Sequence, residues 1–203
     1  NSRLSGLTIC TEQNIYALNT GEYLPESAVA EDLKDLWESE DHHKVGHNIK
    51  EFITWLFKYD IELKGLVFDT MIAEYLIDPL RSSYPITGLS YKYLNRTIPS
   101  LEELQGKGKA ARQYSELPLE QLSTISGQNA QAVYDLWLHQ KKVIEDNGQN
   151  ELFNSIELPL ITVLANMEYQ GFKVDAEKLA EYNHTLSQRI NTLEKTIHIL
   201  AGE

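Results

Sequence analysis

The sequence has little cysteine and no long apolar segment, and each absence excludes a class of protein. Cys10 is the only cysteine among 203 residues, so the chain can form neither an internal disulfide nor a zinc site of several thiolates. No apolar run approaches the roughly 20 residues that span a bilayer. The first ten residues also lack the basic and then apolar pattern of a signal peptide. We therefore expect a cytoplasmic protein with no membrane partner.

Positive charge is also scarce. The chain has 18 Lys and Arg residues against 30 Asp and Glu residues, and its formal net charge is −12. Proteins that hold nucleic acid through its phosphates usually carry an excess of cations, so tight non-specific DNA binding is not expected. The charge is nevertheless compatible with a nuclease, because nuclease sites are themselves acidic and use divalent cations to contact phosphate.

The most basic run, GKGKAAR at residues 106–112, is the candidate for a phosphate contact. Its cations, Lys107, Lys109 and Arg112, are the weak candidates for DNA binding. The run lacks the GxxxxGK[ST] spacing of a phosphate-binding loop. A solvated loop is therefore the favoured interpretation.

The common catalytic motifs GxSxG, HExxH and GxGxxG are missing from the sequence. His42, His43 and His47 cluster, but Gly46 and a predicted strand interrupt the helical spacing that would aim two imidazoles at one metal. We expect surface histidines beside a buried strand. Residues 69–70 (DT) precede an apolar helix and are interpreted as its cap rather than as an acidic metal motif.

Residues 1–147 alternate between strand and helix patterns, which predicts an α/β domain. Short β-branched or aromatic runs at 7–10 and 15–18 predict a hairpin that needs a larger sheet to join. Asn48 is expected to cap a helix whose apolar stripe includes Phe52. The other predicted strands lie at 44–46 and 66–68, and the predicted helices at 27–40, 49–59, 70 to the stop at Pro79, 87–94 and 118–146.

The segment after Gly148 contains only helix patterns. Residues 151–169 predict a helix that Pro159 kinks. An extended link at 171–174 follows, and Asp175 is expected to cap a long final helix with apolar residues near heptad spacing. We therefore expect a domain boundary at residue 148 and an all-helical C-terminal segment.

Several blocks of this sequence are similar to one family. The blocks KVGHNIKEF, ELKGLVFDTMIAEYLIDP, LSYKYL, GKGK and ISGQNAQAVYDL resemble the 3′–5′ exonuclease domain of bacterial DNA polymerase I, family A. The block ELPLITVLANMEYQGFKVD and the helix after it resemble the opening of the polymerase domain, up to the thumb. The resemblance runs in order from about residue 7 to residue 203.

The resemblance implies a ribonuclease H-like mixed sheet flanked by helices over residues 1–148, with its first strand truncated. It also implies that residues 149–203 form the base of the thumb helices. The expected partners are the remaining polymerase domain of the same chain and, through the whole protein, DNA in replication and repair. Mg²⁺ is expected for the polymerase activity of the whole protein, whereas no cofactor is expected in this fragment.

Active members of the family resemble two-metal phosphodiester hydrolases with four acidic residues and one tyrosine, because Mg²⁺ prefers oxygen ligands. The first pair, Asp-x-Glu, would lie upstream of Asn1. The next acid position is occupied by Phe52, the tyrosine position by Ile125 and the last acid position by Asn129. A phenyl ring binds no Mg²⁺, an alkyl chain orients no water and an amide has no charge. The resemblance thus implies a degenerate exonuclease site with no catalytic residues and no metal.

Two alternatives are also compatible with the sequence. An active proofreading exonuclease would need displaced carboxylates such as Glu51 or Asp135, although on a helix Glu51 points roughly 100° away from Phe52. A non-enzymatic interaction module is the other alternative, and the apolar stripe of the final helix, which needs a partner, argues against it as a stand-alone protein.

Overall fold

A computed structural model of the chain describes residues 3–21, 23–106, 112 and 114–202, except for the side chains of residues 102 and 115. The chain divides into two compact units, Asn1–Tyr169 and Gln170–Glu203. The first is a mixed α/β unit and the second is helical, which confirms the predicted fold class.

The strands are β1 (Gly6–Cys10), β2 (Ile15–Asn19), β3 (Lys44–Gly46) and β4 (Leu66–Asp69). The helices are α1 (Glu26–Asp32), α2 (Lys34–Trp37), α3 (Lys50–Leu56), α4 (Thr70–Ile77), α5 (Ile86–Leu94), α6 (Leu101–Gln105), α7 (Leu119–Asp146), α8 (Asn150–Leu152), α9 (Leu158–Gln170) and α10 (Ala176–Ala201). The helix predicted over 27–40 is in fact two, because the backbone leaves the helical region at Leu33.

Strands β1 and β2 form the predicted antiparallel hairpin. One face of the hairpin packs on α7, where Asn19 Nδ2 donates to Ser123 Oγ at 3.3 Å. On the other face, Leu7 and Ile9 pack against the cluster of Val29, Trp37 and neighbouring residues. The hairpin therefore lies between α7 and the helices of the first half of the chain.

Strands β3 and β4 form a second, parallel pair. Within the described residues the four strands make two two-stranded sheets, so the hairpin does not join the larger sheet that its pattern predicts. Both pairs pack on α7, and this helix supports the unit in place of a continuous sheet.

Asp69 connects β4 to two helices. Its Oδ1 accepts hydrogen bonds from the N–H groups of Met71 (2.8 Å) and Ile72 (3.1 Å), so it caps α4 as predicted. Its Oδ2 accepts from Ile49 N–H at 2.7 Å, at the start of α3. The prediction that Asn48 caps α3 is wrong, because Asn48 adopts a left-handed conformation (φ 53°) and donates to Glu51 instead.

The first part of the helical segment after Gly148, up to Tyr169, belongs to the first compact unit. Phe153 packs on Phe68 with ring centroids 4.7 Å apart, and Ile161 and Ala165 are buried in the same cluster. A π-helical turn at Phe153–Glu157 precedes Pro159, a residue with no backbone N–H to donate. The kink expected at Pro159 stays a prediction. The family boundary at residue 148 stays a prediction.

The second unit is dominated by α10. Asp175 Oδ1 accepts from Lys178 N–H at 3.1 Å, which confirms this residue as the cap. The apolar side chains that form the heptad-like stripe of α10 are exposed, as the sequence pattern indicates. Among the described residues, no helix is long and apolar enough to cross a membrane.

Candidate functional site

Phe52 lies on α3 in an aromatic cluster. Its ring is 5.2 Å from that of Trp37 in an edge arrangement and 5.4 Å from that of Trp55 in a stacked one. The half-buried ring also borders an open cavity of about 250 Å³ that Arg3 and His47 help to line. The structure therefore makes Phe52 part of the core as well as of this cavity wall.

Ile125 and Asn129 lie one turn apart on α7 and so share a face of that helix. Ile125 is buried, with 7% of its surface exposed. Asn129 Oδ1 is buried and has no hydrogen-bond partner among the residues that the structure describes. A buried oxygen without a donor is unfavourable by about 1–3 kcal/mol. The stability of the packed core therefore does not explain why an amide occupies this position.

The two carboxylates that could replace missing ligands are engaged elsewhere. Glu51 accepts from Asn48 Nδ2 at 2.9 Å. Asp135 pairs with Arg96 Nη1 at 2.9 Å and accepts from Gln131 Nε2 at 3.0 Å. No group of three or more His, Cys, Asp or Glu residues is arranged to hold a metal anywhere in the described ranges. The residues described therefore do not fit the two Mg²⁺ ions of an exonuclease site.

The histidine cluster divides into exposed and buried members. His42 and His43 are exposed, as predicted. The same prediction is wrong for His47, which is partly buried and whose Nδ1 shares a 2.9 Å hydrogen bond with Thr70 Oγ1. Burial lowers the pKa of His47 below its usual value, although the nearby Asp69 carboxylate opposes the shift. Sequence spacing could not reveal the contact, since Thr70 lies on another element.

The basic run is only partly described. Lys107 and Lys109 lie outside the described residues. Arg112 is exposed, and its Nη2 donates to Leu104 O at 3.0 Å while its backbone N–H donates to Gln105 O at 2.9 Å. These contacts tie Arg112 to the end of α6, and its contact with DNA stays a prediction.

A buried polar network between α4, α5 and α7 was missed by sequence reasoning. Glu74 is fully buried; its Oε1 accepts from Lys92 Nζ at 2.8 Å and its Oε2 from Gln140 Nε2 at 3.1 Å. Burial alone would lower the pKa of Lys92, but the hydrogen bonds to Glu74 and Tyr93 raise it above its usual value. No local signal marks the network, because its members come from three helices.

The comparisons with known proteins agree with this architecture. A family model described as DNA polymerase I, ribonuclease H-like domain, matches residues 1–136. DNA polymerase I of Bacillus subtilis is 31% identical over 200 residues, which cover 98% of this chain and 22% of that protein. DNA polymerase I of Rhizobium leguminosarum is 32% identical over 171 residues, with coverages of 84% and 17%. The chain thus spans about a fifth of the length of these curated relatives.

A solved structure shares the fold. The POL domain of Pol1 from M. smegmatis, in complex with DNA primer-template and dNTP, aligns with a TM-score of 0.76 and 21% sequence identity. The alignment covers 99% of this chain and 32% of that one. Because the family model matches well over half of its residues, the chain belongs to the bacterial DNA polymerase I family, family A, and contains the ribonuclease H-like domain of that family.

Proposed function

We propose that this chain is the exonuclease-like part of a DNA polymerase I, joined to the start of the polymerase domain, and that the exonuclease-like domain is structural rather than catalytic. The observation that carries the proposal is the set of side chains at three positions where the family places site residues, namely Phe52, Ile125 and Asn129. Together they supply one neutral oxygen, whereas two-metal hydrolysis requires several carboxylates.

The packing around these positions supports the same proposal. Phe52 contributes to an aromatic cluster with Trp37 and Trp55, and Ile125 is buried. Such side chains stabilise a core by removing apolar surface from water. A domain that has lost its metal ligands while keeping its framework is suited to supporting the polymerase domain and shaping the DNA channel of the whole protein.

Synthesis of DNA in replication and repair belongs, in this proposal, to the whole polymerase, with Mg²⁺ as its metal. Residues 149–203 provide the first helices at the base of the thumb. The partners of this chain are then the remaining polymerase domain and, through it, DNA.

A nuclease assay tests the proposal. The chain is incubated with 3′-labelled single-stranded DNA and either Mg²⁺ or Mn²⁺, with EDTA as the baseline, and a polypeptide extended upstream of residue 1 is assayed in parallel. We expect no release of nucleotides above the EDTA baseline from either protein. Metal-dependent release from the extended protein overturns the proposal.

Calorimetric titration with Mn²⁺ separates this proposal from an active exonuclease that uses Glu51 or Asp135. Two bound ions favour the active enzyme, and no binding favours the structural domain. The variants Glu51→Gln and Asp135→Asn assign any binding that is observed, because each removes one charge with little change in shape.

A further inference from the structure

Within the described part of the chain, strand β2 has one unpaired backbone edge. At the hairpin turn Thr11 N–H donates to Asn14 O at 2.8 Å, and at the far end Thr20 N–H donates to Ser5 O at 3.2 Å. Hydrogen-bonded and non-hydrogen-bonded pairs alternate along an antiparallel ladder, so the even-numbered residues of β2 bond to β1. The odd-numbered residues therefore direct their N–H and C=O groups away from β1.

Those outward groups belong to Ile15, Ala17 and Asn19, and no backbone hydrogen bond to them is made by any other part of the described chain. Natural proteins usually protect such an edge with charged residues, proline or a bulge. The strand IYALN has neither charge nor proline and pairs with β1 in regular register. Ile15 and Tyr16 are about half exposed. This edge is free to bond to another strand.

An open groove of about 430 Å³ starts at the same strand. Ile15, Ile98 and Gly127 give it an apolar lining, and the segment 96–98 faces α7 across it. A Cβ added to Gly127 would approach only Ile15, at 3.5 Å, so packing does not require glycine there. Ile15 and Asn19 are on the face of β2 that packs on α7. A strand added to β2 would therefore direct every second side chain toward the groove.

The charges around the groove favour a cationic partner. Arg96, the cation in the lining, is neutralised by Asp135 at 2.9 Å. Near the groove, Glu120 lies on α7 one turn before Thr124, a residue of the lining, and it forms no ion pair with another described residue. Glu12, in the turn that precedes β2, forms a hydrogen bond with the side chain of Tyr134. The whole chain carries a formal net charge of −12, which attracts basic segments and repels a second copy.

From these features we propose that the β2 edge binds an extended segment of a partner protein in which apolar residues alternate with Lys or Arg. The segment adds a strand to the hairpin, its apolar side chains enter the groove, and its cations extend from the opposite face of the added strand. The negative net charge of the chain attracts those cations. Main-chain hydrogen bonds supply affinity in this mode of recognition, and the groove supplies specificity. The proposal does not depend on whether the domain hydrolyses DNA.

The test uses the capped synthetic peptide Lys-Val-Lys-Val-Lys-Val-Lys, with Lys-Pro-Lys-Pro-Lys-Pro-Lys as a probe of equal charge that cannot form a strand. Binding is measured by calorimetry with the full chain and with two variants. Ala17→Pro removes an outward N–H without touching the bonds to β1, and Ala17→Val keeps it. We expect the Val peptide to bind about tenfold more weakly to Ala17→Pro than to Ala17→Val, as the loss of one hydrogen bond predicts.

Amide hydrogen exchange on the unchanged protein supplies a second readout that does not depend on how the variants fold. We expect the Val peptide to slow exchange at Ile15, Ala17 and Asn19. Equal binding of the two peptides, equal affinity of the two variants, or slowed exchange at the outward amides of β1 (residues 6, 8 and 10) instead overturns the proposal. So does a mass that doubles with protein concentration and returns to monomer in Ala17→Pro, which would make a second copy the occupant.

Discussion

The carboxylate of Asp69 accepts a 2.7 Å hydrogen bond from the backbone N–H of Ile49, twenty residues earlier in the chain. The same carboxylate caps α4, so a single side chain fixes the beginnings of two helices. One of them, α3, carries Phe52. Asp69 thus serves the fold, with both of its oxygens occupied by backbone donors.

Replacing Asp69 by Asn is expected to destabilise the first unit by about 2–4 kcal/mol. The amide has one acceptor oxygen instead of two and turns a donor toward a backbone N–H, in a site where the native residue is 1% exposed. Urea unfolding measures the loss. Asp175→Asn is the matched control: that cap is exposed and Asn is an equally good cap, so a change below about 0.5 kcal/mol is expected. Equal losses in the two variants would contradict the dual role of Asp69.

His47 makes the stability of the first unit depend on pH. Burial lowers its pKa in the folded state, so the unfolded chain binds more protons as the pH falls below about 6.5. The neutral imidazole therefore contributes its full share of stability above this pH. That contribution is lost as the pH falls from about 6.5 through the lower pKa that His47 has in the folded protein. For this single group the loss cannot exceed about 1.4 kcal/mol per pH unit.

Denaturant unfolding between pH 7 and pH 5 measures this dependence. We expect a shallower pH slope in His47→Gln than in the unchanged protein, because the amide does not titrate. His43→Gln, at an exposed histidine, is the control and should keep the original slope. A slope that is unaffected by His47→Gln would show that other groups cause the pH dependence.

The buried carboxylate of Glu74 and the ammonium group of Lys92 should be strongly coupled. Lys92→Met leaves the fully buried Glu74 without its cation and is expected to cost about 3 kcal/mol. Glu74→Gln is expected to cost less, about 1–2 kcal/mol, because the side chain of Lys92 is 37% exposed and keeps Asp78 at 3.6 Å. A double-mutant cycle should give a coupling of about 2 kcal/mol. The exposed pair Lys34–Glu38, with N···O at 3.9 Å, is the control and should couple by less than about 0.5 kcal/mol. Similar couplings would mean that burial does not strengthen the Glu74 pair.

Gly127 lies inside α7, where glycine is unfavourable. A Cβ at this position would meet only Ile15, at an ordinary contact distance of 3.5 Å. Gly127→Ala is therefore expected to stabilise the unit by about 0.5–1 kcal/mol, measured by urea unfolding. Gly65→Ala is the contrasting control: Gly65 has φ 66° and a Cβ there would lie 2.8 Å from two backbone oxygens, so this change should destabilise. Destabilisation by Gly127→Ala would show that α7 tolerates no added methyl at the hairpin.

The sequence was most informative where the cause is local. Apolar periodicity predicted α7 to within one residue at its start, and the caps at Asp69 and Asp175 follow from acids that precede helices. Contacts between distant residues could not be predicted in this way. Ile49 receives its acceptor from Asp69, so Asn48 is free to adopt a left-handed conformation instead of capping α3.

The same distinction holds for the candidate site. Residue identity alone indicates that Phe52 and Asn129 are poor metal ligands. Their surroundings depend on tertiary packing, including the stacking of Phe52 on Trp55 and the buried, unpartnered oxygen of Asn129. Glu74 illustrates the limit, because its partner Gln140 lies 66 residues away and nothing near Glu74 in sequence marks it as buried.

Restoring a single acid should not restore catalysis. In Phe52→Asp the new carboxylate would not complete a ligand set, since the described residues hold no group of three or more potential ligands to which it could be added, and two-metal hydrolysis depends on several carboxylates together. The change also removes a ring that contacts Trp37 and Trp55 and places a charge beside them. We expect a loss of about 2–4 kcal/mol in the free energy of unfolding.

Phe52→Leu separates the two effects of that substitution. Leucine keeps an apolar side chain in the aromatic cluster, so its expected cost is only about 1 kcal/mol, and its nuclease activity should match that of the unchanged protein. Both variants are assayed with Mn²⁺ on single-stranded DNA at a temperature where each is folded by circular dichroism. Metal-dependent hydrolysis by Phe52→Asp and not by Phe52→Leu would contradict this prediction. It would mean that the absence of nuclease activity is caused by one missing acid and not by the loss of a whole ligand set.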